Sequence, residues 1–258
     1  MSKMGFFDDT PIEDKKKPPT IDWSGRDSFF DAEDINQNIP KVTPHSKIED
    51  IKILEGDFTK LIKDIPDNSV DLILTDPPYG QDFIPLLDTL ASESQRVLKK
   101  GGWFVSYYGS YYLNQFYPIF DRHLMYYWTD SLVHTGTAGK PPLRNIRCEW
   151  KPIVLYYKPP LKEPQECQSD LIQGGGRQKG LHKWEQSVKE SRYLLRIFTK
   201  ENDLVLDPLA GSGTVLHACY LENRKCIGFD IDPEAIATTK KRLAHVAQTR
   251  KYLENERT

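Results

Sequence analysis

Two kinds of hydrophobic segment alternate along this chain from about Ile51 onward. Short, continuously apolar runs such as VDLILT at residues 70–75 are typical of strands that are buried on both faces of a parallel sheet. Longer segments, such as the one that begins at Pro85, carry apolar residues at helical spacing and end at glycine. The alternation predicts an α/β fold with an open, mainly parallel sheet and helices on both of its faces.

Seven strands follow from this pattern, with a helix after most of them. The strands are predicted at residues 51–57, 70–75, 103–108, 126–133, 153–157, 203–207 and 225–230, and the helices at 85–98, 113–120, 188–199, 233–246 and directly after Thr214. Residues 159–182 are rich in Pro, Gln and Gly, and we expect them to lie outside the core.

The length of the chain, 258 residues, predicts one large domain with appendages. Residues 1–45 are rich in Asp, Lys and Pro without periodicity, and they are predicted to be an acidic, flexible arm. The folded domain is expected at 46–250, with 134–182 as a loop insertion and 251–258 as a tail.

Composition excludes several classes of protein. No stretch approaches the roughly 18 apolar residues of a membrane span, and the N-terminus lacks the apolar segment of a secretion signal, so we expect a cytoplasmic protein. The four cysteines form no CxxC pair and have no histidine at ligand spacing, which argues against a metal site and a disulfide framework.

Charge is unevenly distributed in a chain whose net charge is only −2. Residues 134–184 carry nine Lys or Arg against four acids, a net charge of +5, whereas residues 1–38 have a net charge of −4. A near-neutral total argues against coating nucleic acid by bulk electrostatics. A run of like charges is most often a solvated face of the protein, and the composition alone favours that interpretation of the basic middle.

A glycine loop, DPLAGSGT at residues 207–214, lies at a predicted strand-to-helix junction. Glycines there allow the backbone to approach a ligand at the helix N-terminus. The loop has no Lys before Thr214, so it is not a Walker A loop, and Leu216 replaces the third glycine of the dinucleotide fingerprint. Asp230 ends the next strand, where an acid commonly accepts hydrogen bonds from ribose hydroxyls. These features predict a nucleoside cofactor without phosphates.

A second candidate site is the tetrad Asp76, Pro77, Pro78 and Tyr79, directly after the predicted strand 70–75. The two prolines remove backbone donors and fix the backbone, so the carbonyls beside the Asp76 carboxylate are available to accept hydrogen bonds. The Tyr79 ring adds a flat surface. Such a set of acceptors suits a planar group that bears an NH2.

Topology can join the two candidates, although 131 residues separate Asp76 from Asp207. Ligands of open α/β sheets bind beyond the carboxyl ends of the strands, at the point where the strand order reverses. If the strands before the tetrad and before the glycine loop are neighbours, the two motifs form one crevice.

With these motifs the chain resembles the beta class of DNA amino-methyltransferases, over roughly residues 50–247. The resemblance rests on TDPPYG at 75–80, LDPLAGSGT at 206–214 and GFDIDPE at 228–234, in that order. It implies a seven-stranded Rossmann-like sheet with a circularly permuted motif order. It also implies S-adenosylmethionine as cofactor, DNA as partner, no metal, restriction-modification as a setting and a homodimer as a possible assembly.

The resemblance further implies roles for individual residues. The tetrad Asp76, Pro77, Pro78 and Tyr79 would be catalytic, with Asp76 and Pro77 accepting the amine hydrogens of a flipped-out adenine and Tyr79 stacking on it. The residues implied in cofactor binding are Asp57 and Phe58 at the adenine, Asp230 at the ribose, Asp207, Leu209, Gly211, Gly213 and Thr214 at the methionine part, and Gln186 and Ser187 at its carboxylate. The last two lie in HKWEQS, where the family often has His-Pro-x-x-Lys-Pro.

Target recognition in this family falls between the tetrad and that segment, where this chain has its basic middle. Residues 134–182 would therefore be the target-recognition insertion. The phosphate contacts expected from composition are Lys140, Arg144, Arg147, Arg177 and Lys179.

Other functions stay open at this point. Cytosine amino methylation would use the same machinery, although Asp at position 76 favours adenine because cytosine members more often carry Ser there. A catalytically silent DNA-binding or assembly subunit is an alternative of another class, which the intact tetrad opposes. A nicotinamide-dependent oxidoreductase would leave the tetrad unexplained, and RNA guanine methyltransferases usually have the reverse motif order.

Overall fold

A computed structural model of the protein describes residues 47–133, 145–174 and 188–255, with side chains described as far as residue 248. The predicted arm at 1–45 lies outside these residues. So do Gln186, Ser187, Lys140, Arg144, Arg177 and Lys179, whose implied roles therefore stay predictions.

A single open sheet organises the described residues, and its spatial order is β1-β8-β7-β2-β3-β5-β4-β6. The strands are β1 (Ile51–Glu55), β2 (Val70–Thr75), β3 (Leu98–Tyr107), β4 (Met125–Val133), β5 (Trp150–Tyr157), β6 (Leu171–Gln173), β7 (Leu204–Asp207) and β8 (Lys225–Asp230). The five strands β1, β8, β7, β2 and β3 are mutually parallel, whereas β5 is antiparallel to both β3 and β4. The predicted mainly parallel α/β sheet is confirmed.

Helices connect these strands and cover the sheet. They are α1 (Phe58–Leu61), α2 (Ile84–Val97), α3 (Leu113–Phe120), α4 (Val188–Phe198), α5 (Thr214–Leu221) and α6 (Pro233–Asn255). Pro85 lies in the first turn of α2, where its missing N–H costs nothing.

The core lies on both faces of the sheet. Leu72, Ile73 and Leu74 of β2 are each fully buried, which explains why the VDLILT run has no polar alternation. Successive side chains of a strand point to opposite faces, so Leu74 joins the cluster with α4 and α5, and Ile73 joins the cluster with α2 and α3. The strand is thereby held from both sides.

Three predicted boundaries differ from the structure. The strand predicted at 153–157 is confirmed as β5, which lies between β3 and β4 with residues 153–156 fully buried. The surrounding range 134–182 is therefore not a loop insertion throughout. Residues 171–173 form the additional edge strand β6, so the sheet of the described residues has eight strands instead of seven. The predicted tail at 251–258 begins inside α6, which continues to Asn255 because its polar composition is compatible with an exposed helix.

No helix within the described ranges is long and apolar enough to span a membrane.

Candidate functional site

The five parallel strands end at one edge of the sheet, which we call the carboxyl edge. Their last residues are Glu55, Thr75, Tyr107, Asp207 and Asp230. β2 pairs directly with β7, through Leu72 with Val205 and Ile73 with Leu206. The prediction that the strands before the tetrad and before the glycine loop are neighbours is confirmed.

A buried hydrogen bond links these two neighbouring strand ends. The hydroxyl of Thr75 donates to Asp207 over 2.8 Å, and the backbone N–H of Leu209 donates to the same carboxylate oxygen over 3.2 Å. Burial raises the pKa of Asp207 to about 7, and the negative charges of Asp76 and Asp230 add to the effect, while these two hydrogen bonds oppose it. Asp207 is therefore partly protonated near neutral pH and holds the tetrad against the glycine loop.

The tetrad follows Thr75 in an extended conformation. Pro77 is buried and Pro78 is exposed, and within the described residues no group donates to the carbonyl of Pro77. The hydroxyl of Tyr79 donates to the Asp76 carboxylate. The carboxylate of Asp76 and the carbonyl of Pro77 thus provide adjacent acceptors of the kind that an exocyclic amine requires.

The Tyr79 ring has a fixed position. It packs edge-on against Tyr108, with ring centroids 5.8 Å apart, and a Cβ on Gly109 would lie only 2.9 Å from the Cβ of Tyr79. Burial raises the pKa of the Tyr79 hydroxyl well above its usual value, and the charge of Asp76 adds to this, so the hydroxyl remains a donor.

Lys151 also contacts the Asp76 carboxylate. Its Nζ lies 3.1 Å from Oδ1 and 3.0 Å from Oδ2 of Asp76. The same ammonium lies 4.9 Å from the centre of the Tyr79 ring and 4.7 Å from that of Tyr107. In the sequence Lys151 is only one cation of the basic middle, because nothing local indicates that β5 reverses direction and brings it to the carboxyl edge.

The glycine loop has two glycines with different roles. Gly211 has φ +50° and no atom within 4 Å of the position where a Cβ would lie, so the backbone faces open space there. Gly213 has φ +78°, and its Cβ would lie 2.5 Å from Thr239 of α6. The first glycine fits the predicted approach of a ligand, whereas the second is required by close packing between the loop and α6. Thr214, the first residue of α5, is buried.

Asp230 fixes the shape of this loop. One carboxylate oxygen accepts from the N–H of Gly211 over 2.7 Å, and the other accepts from the N–H of Asp232 over 2.8 Å. Each carboxylate oxygen has a second electron pair, so these bonds are compatible with the predicted contact to ribose hydroxyls.

Asp57 and Phe58 follow β1 at the same edge. Asp57 caps α1 by accepting from the backbone N–H and the hydroxyl of Thr59, and the hydroxyl bond is the largest cause of its lowered pKa. Phe58 is buried and packs 6.1 Å from Phe83. The acid is thus ionised at the edge, while the ring belongs mainly to the core.

Together these groups fit a cationic nucleoside such as S-adenosylmethionine. Carboxylates surround an open glycine backbone, which suits hydroxyls, an amine and a positive charge. The loop lacks the lysine and the third glycine of phosphate-binding loops. Among the described residues no group of three or more His, Cys, Asp or Glu could hold a metal ion.

Comparison with known proteins agrees with this geometry. The model of the DNA methylase family matches residues 70–241, which include both motifs. YubD of Escherichia coli K12, which is named as a methylase, is 30% identical over 211 residues that cover 76% of this chain and 91% of that protein. The Type II methyltransferase M.HpaI of Haemophilus parainfluenzae is 28% identical over 234 residues, which cover 75% and 74% of the two chains.

Solved structures have the same fold. TTHA0409 from Thermus thermophilus, solved in complex with S-adenosyl-L-methionine, superposes with a TM-score of 0.65 at 20% identity, over 76% of this chain and 93% of that one. At this identity the match establishes the fold.

Proposed function

Because this chain belongs to the family of DNA methylases, we propose that it transfers the methyl group of S-adenosylmethionine to the exocyclic amine of an adenine in DNA. The observation that carries this proposal is the pairing of β2 with β7. That pairing brings the tetrad, which offers amine acceptors, beside the glycine loop, which offers an open backbone and carboxylates. A methyl donor and its acceptor can therefore share one crevice.

The cofactor supplies an electrophilic methyl group on a positively charged sulfur. The residues that would hold it are Gly211 and its loop, Asp230 for the ribose and Asp57 for the adenine. Leu209 and Thr214 belong to the loop. Asp207 holds the start of the loop in place by accepting hydrogen bonds from the Thr75 hydroxyl and the N–H of Leu209. Asp57 and Asp230 also give this part of the carboxyl edge a negative potential, which favours a cation.

The tetrad prepares the amine for methylation. An exocyclic amine is a poor nucleophile because its electron pair is delocalised into the ring. When the Asp76 carboxylate and the Pro77 carbonyl accept hydrogen bonds from the two N–H groups of the amine, the electron pair is localised on the nitrogen. The Tyr79 ring then offers a stacking surface for a base that has left the duplex, a contact that is worth about 1 to 3 kcal/mol for single-stranded bases.

Adenine is the proposed target because the first tetrad residue is Asp76. The resemblance noted above associates Asp with adenine and Ser with cytosine at this position. A carboxylate is also the stronger acceptor for an amine hydrogen. Cytosine amino methylation is the alternative that the same geometry allows.

Phosphate contacts are proposed for the basic residues that the sequence analysis singles out between 134 and 182. Arg147, the described member of that set, has a side chain that is 75% exposed and lies 3.5 Å from Glu149. It is thus free to meet a phosphate. Assembly as a homodimer and a cytoplasmic location remain predictions from the sequence, and light scattering of the purified protein tests the first.

Nucleoside mass spectrometry tests the proposed function. DNA from cells that lack their own methylases and express the wild type is expected to contain N6-methyladenine, and expression of Asp76→Ala is expected to give none. Asp64→Ala, which changes an exposed aspartate at the end of a short helical turn, is the matched control and should behave as wild type. N4-methylcytosine instead of N6-methyladenine would overturn the choice of base. Absence of both from the wild type, with the protein folded, would overturn the activity and favour a silent DNA-binding subunit.

A further inference from the structure

We propose that Lys151 is a positioning residue for the methyl transfer: it holds the Asp76 carboxylate in the orientation that receives the base amine, and it stays in place while the base is bound. This inference rests on the proposed function, since it assigns Asp76 to the amine. It adds a residue that the tetrad does not contain and that lies 75 positions further along the chain.

The contact is made from two sides. The Lys151 ammonium bonds to both oxygens of Asp76, at 3.0 and 3.1 Å, so it fixes the plane of the carboxylate as well as its position. The hydroxyl of Tyr79 donates to Oδ1 of the same group. A carboxylate has about four acceptor positions. These two neighbours therefore orient the Asp76 carboxylate from two directions.

Lys151 is itself held firmly. Its ammonium lies over the faces of the Tyr79 and Tyr107 rings, and its side chain is only 18% exposed. Cation–π contacts gain strength when the cation is desolvated. A lysine that leaves Asp76 would lose both rings and the ion pair together. This arrangement favours a permanent support over a gate that opens for the base.

The sheet explains why a residue so distant in sequence arrives here. β5 is antiparallel to β3, with Ile153 opposite Tyr107, the last residue of β3. Lys151 therefore lies two residues beyond the end of β3, on the same face of the sheet as Ile153. Thr75 of β2 is paired with Ser106 of β3, and Asp76 follows Thr75. The start of β5 and the tetrad therefore meet at the carboxyl edge.

Other acidic groups lie near the Lys151 ammonium. The charge of Asp76 contributes to the raised pKa of both Asp207 and Tyr107, and Glu190 contributes to that of Tyr107, after burial in each case. Several carboxylates thus share one neighbourhood. The Lys151 ammonium places a positive charge among these groups, against both oxygens of Asp76.

The test compares Lys151→Met with a matched pair elsewhere. Lys99 makes the same two-oxygen contact with Asp71, at 2.8 and 2.7 Å, near the start of β3 and away from the carboxyl edge. We expect Lys151→Met to lower kcat by about 10- to 100-fold, the range expected from a misplaced reacting group. The KM for DNA and the affinity for S-adenosylhomocysteine should stay within about threefold. Lys99→Met should keep the wild-type kcat, and Lys151→Arg should recover most of it because it retains the cation.

Each other result contradicts the proposal. An unchanged kcat in Lys151→Met would mean that the contact has no role in the reaction. A raised KM with unchanged kcat would make Lys151 a phosphate contact, and a higher kcat would make it a gate. If Lys151→Met does not fold, Lys151→Gln takes its place with the same expectations.

A measurement without turnover separates this inference from the proposed function. Thermal unfolding of Lys151→Met, Asp76→Asn and the double variant reports whether the two residues are coupled. We expect the midpoint shifts to be non-additive. If the midpoint shifts are non-additive but the wild type methylates no DNA, the proposed function fails while the contact between Lys151 and Asp76 stands. If the shifts are additive and the wild type is active, the positioning role of Lys151 alone is overturned.

Discussion

Two aspartates lie at the ends of neighbouring strands at the carboxyl edge, and they differ in burial and in the charge of their partners. Asp76, after β2, has one third of its side chain exposed and an ammonium against both of its oxygens. Asp207, the last residue of β7, is 3% exposed and accepts only from the neutral donors Thr75 and Leu209 among the described residues. Burial raises the pKa of Asp207 to about 7.

The difference shows that an aspartate at the end of a strand can either face a substrate or join two strands. A carboxylate that accepts an amine hydrogen has to be reachable, and one third of the Asp76 side chain is exposed. The Asp207 carboxyl group joins two strands, and this bond does not require a charge, because a neutral acid accepts the Thr75 hydroxyl as well. Lys151 holds the first group through both of its oxygens, whereas burial raises the pKa of the second.

The largest effect is expected at Asp76. Asp76→Ala should abolish methyl transfer, a loss beyond the roughly 10²- to 10³-fold cost of removing one stabilising donor in an active site. Cofactor affinity, measured by calorimetry with S-adenosylhomocysteine, should be nearly unchanged because Asp76 faces the base. Lost cofactor binding would contradict the division of roles between the two motifs.

Asp207→Asn should keep most of the activity and raise stability at alkaline pH. The folded-state pKa of about 7 lies above the ordinary value of 3.8, so the native state holds an extra proton and stability falls as pH rises from about 4 to 7. Above pH 7 the loss is at most about 4 kcal/mol. Melting curves should show the variant more stable than wild type at pH 8 and similar near pH 4. A variant that is destabilised at pH 8 would mean that the carboxylate is ionised in the fold.

Asp130 of β4 offers a control for that measurement, since it is remote from the glycine loop. Burial raises its pKa to about 7 as well, and the charge of Asp170 adds to this, but neither of its oxygens has a hydrogen-bond partner within the described residues. Asp130→Asn should therefore give the same gain in melting temperature at pH 8 without any change in cofactor affinity. A change in cofactor affinity for Asp207→Asn alone would assign Asp207 to the cofactor.

The comparison also separates what sequence reasoning reaches from what it misses. The apolar run 70–75 and the glycine loop are local patterns, and the switch-point rule is enough to predict that their strands are neighbours. The partner of Asp76 is different, because it depends on the antiparallel entry of β5 between β3 and β4. No local pattern in residues 150–157 encodes a direction. Lys151 therefore looks like one of nine basic residues of a surface loop, and β5 falls within the range 134–182.

An intermediate effect, on cofactor affinity, is expected at Asp230. Asp230→Ala removes a bond to the N–H of Gly211 and the predicted bonds to ribose, so cofactor affinity should fall by about 1 to 3 kcal/mol. Calorimetry measures this loss, and Asp232→Ala, which changes an exposed neighbour, is the control. Unchanged affinity would move the ribose elsewhere along the carboxyl edge.

The smallest effect is expected at Arg147, which lies four positions before Lys151 and is much more exposed. Arg147 is 75% exposed, and the opposing Glu149 is 67% exposed, so their 3.5 Å contact contributes little to stability. If this arginine meets a phosphate, Arg147→Ala should flatten the slope of log affinity for DNA against log salt by about 0.9. Glu149→Gln should leave the slope unchanged and slightly raise affinity, because it removes a charge that repels phosphate. Fluorescence anisotropy at several salt concentrations measures both. An unchanged slope in Arg147→Ala would place DNA on another face, whereas Lys151→Met should not alter the slope at all, because that cation is already paired with Asp76.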